Sequence, residues 1–285
     1  MISTLSTLFI IIPNTISLIT CLWFFYCYFK TNPASLSFRM VVTLSISDFI
    51  LHIMILIIFF VPSPTLMTIG IIIVNLALRF SIFWILAIAF FLYRLTNIKK
   101  PHYPSAKYFS QSLVATLLAS IITTLLYQHS LYIISNYIRF ELLNSQGKLI
   151  LYLTLMLPLI LSVFGSTFFY FRSIAILKKN SIIRLCVPGI QTKSLYLHIF
   201  AQLLTIGPGI ICMIVDLAVG MPSEAFVIII NLSLGFTGFA NASVYYFLKR
   251  KSLGSSATLT ETTDPETIDE ISRSLRNILI VEAFS

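Results

Sequence analysis

The stretch MVVTLSISDFILHIMILIIFFV, Met40–Val61, decides the fold. It is long enough to cross a bilayer as a helix, which takes about 20 mainly apolar residues. Its only ionisable side chains are Asp48 and His52. Working outward, six more runs of this kind follow or precede it: Thr7–Phe29, Met67–Tyr93, Phe109–Tyr127, Leu149–Ile174, Leu195–Val219 and Ala225–Leu248. The first lacks a basic start and a small-residue cleavage site, so it reads as a transmembrane helix rather than a signal peptide. The composition agrees, with 58% hydrophobic and 10% charged residues among 285 and a mean hydropathy of +0.95. A soluble domain carries about 25% charge, so a water-soluble enzyme, a disordered linker and a secreted disulfide scaffold are excluded. The expected fold is an all-α membrane protein, a seven-transmembrane helix bundle spanning residues 1–251.

Charge placement predicts its orientation. The net charge of +9 is not a nucleic-acid footprint, because the basic residues sit in short clusters between apolar runs. With the N-terminus outside, fourteen Lys and Arg lie near the membrane on the inner side, against Arg139 and Lys148 on the outer side. Such an excess marks cytoplasmic loops, giving an outside N-terminus and a cytoplasmic C-terminus. The outer loops are short except for one at about Gln128–Lys148, the only one large enough to act as a lid. No internal repeat is visible. Cys21, Cys27, Cys186 and Cys212 show no metal or disulfide spacing and read as packing residues.

Residues 252–285 form a tail that is first rich in Ser and Thr and then acidic. Thr263 and Glu266 have capping-box spacing, and Pro265 suits a first helical turn. Ile268, Ile271, Leu275, Ile278 and Leu279 recur at helical spacing, predicting a short amphipathic helix near 265–281. The alternatives are a frayed tail and a helix that meets the membrane or a partner, with phosphorylatable residues before it.

Ionisable groups inside spans are costly and mark function or structural latches. Arg79 lies roughly 18 Å, and Asp48 roughly 20 Å, in from the outer ends of their spans on the helical rise. An Asp48–Arg79 pair near mid-membrane is therefore within reach, and His52 shares a face with Asp48 at i+4. Such a pair is either a polar latch between two helices or a switch or ligand site. Asp216 lies within a turn of the outer surface. Pro158 and the Gly207-Pro208-Gly209 run interrupt the fifth and sixth spans and predict hinges. The seventh carries Asn231, small residues at Gly235 and Gly238, and Asn241 on one face with Tyr245. No catalytic or metal motif is found, no mid-span Lys occupies the seventh run, and neither an enzyme nor a cofactor is expected.

Local motifs narrow the plan. Arg39 to Asp48 reads R-x-x-x-x-L-S-x-S-D, and Ser81 to Ala89, with Trp84 between, reads S-x-x-W-x-x-x-I-A. Leu157-Pro158-Leu159 lies in the fifth span, and Gly238 to Tyr245 reads G-F-x-N-x-x-x-Y. Over roughly residues 10–250 this order resembles the cyclic-AMP-receptor-like (class E) seven-transmembrane G-protein-coupled receptors. The chain departs from that pattern in having no cysteine at the outer end of the third span or in the second outer loop. The resemblance implies a heterotrimeric G protein as partner, kinase or arrestin-like regulators at the tail, and a plasma-membrane location. Arg94, Lys99, Lys100, Lys178, Lys179, Arg184 and Lys193 become G-protein contact candidates, though each also suits lipid headgroups. Ligand or switch candidates are Asp48, His52, Arg79, Trp84, Asp216, Asn231, Asn241 and Tyr245, with an unidentified small extracellular ligand. A cyclic nucleotide is not expected, since the outer half offers its phosphate few cations. The alternative reading is a small-solute transporter or channel with a polar path near Asp48, His52 and Arg79.

Overall fold

Every backbone amide in a bilayer must find its partner inside the protein, and a helix achieves this within one segment. The structure, a computed structural model, describes residues 4–31, 36–61, 63–96, 106–137, 145–179, 192–219 and 224–244. Its helices are α1 (Thr4–Thr31), α2 (Leu36–Phe60), α3 (Pro64–Thr96), α4 (Ala106–Tyr137), α5 (Ser145–Lys179), α6 (Thr192–Thr205), α7 (Gly207–Val219) and α8 (Glu224–Gly235). A last helix, α9, covers 237–244. No strand occurs among the described residues. Six helical stretches are long and apolar enough to cross a membrane, and a shorter one runs Ile228–Val244. The chain is a multi-pass, all-helical integral membrane protein.

The side-chain pattern is that of a lipid-facing bundle. Large apolar residues such as Phe29, Phe164 and Ile211 point outward and are exposed, while serines fill the interior. Without a hydrophobic drive between helices, small residues and interhelical hydrogen bonds hold such bundles together. Several hydroxyls only bond back to their own helix, as Thr20 does to Ile16 and Ser120 to Thr116. Others cross a seam. Ser47 donates to the Ala77 carbonyl at 2.9 Å and Ser162 to the Ile82 carbonyl at 2.6 Å. Ser166 donates to Gln202 Oε1 at 2.8 Å. These crossings join α2 to α3, α3 to α5 and α5 to α6.

α3 is the central post, packed against α2, α4 and α5. Trp84 is fully buried among Met40, Leu44, Ile85, Ile88 and Phe91. A second cluster joins Ala89 to Tyr170, Ile174 and Leu177 of α5 and to Leu195 and Ile199 of α6. Within it, Tyr170 stacks on His198 with ring centroids 5.4 Å apart. Cys21 and Cys212 are buried thiols.

Two of the expected boundaries shift. The outer loop anticipated at Gln128–Lys148 is mostly helix, because α4 continues to Tyr137 and α5 starts at Ser145. Residues 128–137 contain neither Pro nor Gly, so nothing stops the helix. Pro158 does not end α5, which runs unbroken through it; the sixth span does break, at Ile206 beside Gly207-Pro208-Gly209. The readings made for Lys99, Lys100, Arg184, Cys186, Tyr245 and the 252–285 tail lie outside the described residues.

Candidate functional site: a polar knot around the last helix

Four helices meet at a buried set of polar side chains. From α2, Asp48 is 1% exposed and His52 fully buried. Asp48 Oδ1 accepts from Ser81 Oγ of α3 at 2.7 Å. Its Oδ2 accepts from Asn241 Nδ2 of α9 at 2.9 Å. The carboxylate thus spans from α3 to α9, with one hydroxyl and one amide as donors.

His52 works one turn farther along the same face. Its Nε2 accepts from the Gly238 backbone N–H at 3.3 Å, so its proton sits on Nδ1. Nδ1 then donates to Asn14 Oδ1 of α1 at 2.8 Å, and Asn14 Nδ2 donates to the Ile10 carbonyl at 2.7 Å. The ring links α1, α2 and α9 with both nitrogens used. Asp48 and His52 share a face as expected, but each takes different partners rather than the other.

Ser17 of α1 completes the arrangement. Its hydroxyl donates to the Gly235 carbonyl at 2.6 Å and accepts from the Phe239 N–H at 3.0 Å. In an uninterrupted helix that carbonyl and that amide, four residues apart, would bond to each other. Ser17 stands between them. One residue earlier, the Gly238 amide goes to His52, and the Leu234 carbonyl is taken by Thr237 Oγ1 at 2.8 Å. The turn at Phe236 is therefore an opened helical turn, with four of its backbone groups held by side chains of α1 and α2 and by its own threonine. The ladder flanks it on both sides, from Phe236 N to the Leu232 carbonyl and from Ala240 N to the Phe236 carbonyl.

The glycines of α8 and α9 allow this closeness. A Cβ on Gly235 would lie 2.8 Å from the Pro13 ring, and one on Gly238 would lie 2.9 Å from His52 Nε2. Both are shorter than side-chain packing permits, so a side chain at either place forces the helices apart.

Other sequence candidates sit elsewhere. Arg79 is buried, but its guanidinium lies over the Tyr127 ring of α4, 5.1 Å from the centroid, which is cation–π range. Asp48 meets α3 through Ser81 instead. Trp84 donates from Nε1 to the Met40 carbonyl at 2.6 Å, pegging α3 to α2. Asn231 is half-buried in α8. Asp216 and Lys193 lie on α7 and α6, with their side chains outside the described set. Arg94, Lys178 and Lys179 are exposed at the C-terminal ends of α3 and α5, where cations complement the helix dipole.

Sequence reasoning did not single out Asn14 and Ser17. It weighed ionisable groups in spans, whereas these are neutral; an amide beside Pro13 in an apolar run was the available signal for Asn14. Ser17 had none, because serine is ordinary in a transmembrane helix. No cluster of three or more His, Cys, Asp or Glu able to hold a metal occurs among the described residues. In comparison with known proteins, the chain matches no protein-family model and no curated protein.

Proposed function

We propose that the chain is a seven-transmembrane receptor, with its N-terminus outside, that senses a small extracellular ligand and activates a heterotrimeric G protein at the plasma membrane. One observation carries the reading. The motif segments that resemble class E receptors, separate in sequence, converge on one site: Asp48 from the first, Ser81 from the second, Gly238 and Asn241 from the last. Orientation rests on the basic bias of alternate loops.

Ligand binding drives such a receptor only by favouring one bundle state over another. The polar knot fixes α1, α2, α3 and α9 as a frame. The sixth span, interrupted at Ile206, is the segment able to swing, together with α5. Its movement exposes an inner surface that carries Arg94, Lys178 and Lys179. Neither cleft found between α3, α4 and α5, or between α2, α3 and α4, is lined by Asp48, His52 or Arg79.

The test is co-expression with a panel of G-protein activation sensors, with and without cell extracts as ligand source. Activation that requires this chain, and that disappears when residues 180–191 are replaced, is the expected result. Silence with every sensor at verified surface expression, together with solute flux in reconstituted liposomes, favours a transporter.

A further inference from the structure

Between α3, α4 and α5 the bundle leaves a cleft of about 520 Å³, of which the receptor reading uses only Arg94 at the rim. That is within the ~300–1,000 Å³ typical of small-molecule sites. Its apolar walls are Phe83, Leu86 and Phe90 of α3, Ala115 and Ala119 of α4, and Phe169 of α5. The small alanines open the trough. Arg94 closes one end, exposed, with its guanidinium 5.8 Å from the Tyr108 ring and 6.0 Å from Phe90. Among the described residues, no acidic side chain lines the cleft.

Length and charge together specify an occupant. Phe83 to Arg94 covers roughly 16 Å on the helical rise, about half of the ~30 Å hydrocarbon core of a bilayer. The trough is thus one leaflet deep, mainly apolar, with Gln111, Ser112 and Thr116 of α4 along one wall, and cationic at its headgroup end. Lys107, exposed at the start of α4, adds charge at that same end. An acyl chain bearing a phosphate has this order of properties, and Arg is well suited to bind phosphate in two-pronged fashion. We propose that this cleft holds one chain of an anionic phospholipid, with its phosphate paired to Arg94. Assignment to the inner leaflet rests on the proposed orientation; the trough and its charge do not.

Native mass spectrometry of the full chain, stripped of lipid and then titrated with phosphatidylglycerol or phosphatidylcholine, tests this. The wild type should prefer phosphatidylglycerol. Arg94→Gln should lose that preference by roughly fivefold, the worth of one basic residue at an anionic surface, while Arg94→Lys keeps most of it. Ala115→Phe with Ala119→Phe, checked for an unchanged melting temperature, should reduce binding of both lipids. Equal binding by the wild type and all variants would mean ordinary surrounding lipid and overturn the proposal. Displacement of the lipid by inorganic phosphate alone would overturn it too, marking a free-anion site.

Discussion

Two helical stretches of this bundle are interrupted, and for opposite reasons. Between α6 and α7 the cause is covalent: Pro208 has no N–H for the Leu204 carbonyl. The adjacent Gly207 and Gly209 face open space, with nothing within 4 Å of where a Cβ would sit. Between α8 and α9 no proline is present, and the turn is opened by Ser17 and His52 reaching in from other helices. Its glycines are crowded against Pro13 and His52. An interruption of the first kind leaves freedom to bend, whereas the second kind is a joint locked by its neighbours.

The contrast breaks down if glycines in the two places behave alike. Gly235→Ala and Gly238→Ala should each destabilise the protein by ~1–3 kcal/mol, the usual cost of overpacking. The largest effect should come from the double variant, read as a lowered melting temperature in detergent. Ser17→Ala comes next. With the Gly238 amide still held by His52, the Gly235 carbonyl and Phe239 amide lose their shared partner, at a cost of ~1–3 kcal/mol for buried unsatisfied groups. Partial reclosure of the turn places the result toward the lower end. Gly207→Ala and Gly209→Ala should do the reverse, stabilising by ~0.5–1 kcal/mol as alanine replaces glycine in a helix. A loss of stability at 207 or 209 to match that at 235 would erase the distinction.

The same contrast explains what the sequence could reveal. The long apolar helices followed from apolar runs, because lipid demands self-satisfied helices, and the break near Pro208 is written in one residue's chemistry. Asp48, His52 and Asn241 stood out as polar groups in the wrong solvent. Their partners did not, because which side chains meet depends on helix rotation, and a hydrophobic run that is apolar all round does not encode rotation. Arg79 shows the consequence: depth placed it near Asp48, yet it turns toward Tyr127 of α4. The opened turn was still less legible, since it depends on a serine more than two hundred residues away.

The interrupted sixth span gives a functional form of this comparison. If it swings during activation, Gly207→Ala with Gly209→Ala should reduce ligand-dependent signalling several-fold while leaving surface expression intact. Unchanged signalling would locate the motion elsewhere.

The proposed receptor function, with the polar knot as the frame against which the sixth span moves, is tested most directly by G-protein activation through Asp48→Asn beside wild type at matched surface expression. The amide replaces one acceptor oxygen by a donor, so either Ser81 or Asn241 meets a donor instead of an acceptor. Activation should depend on the chain and shift several-fold, in basal level or ligand response, in the variant. Identical activation by wild type and Asp48→Asn would contradict it and leave the knot as a structural latch alone.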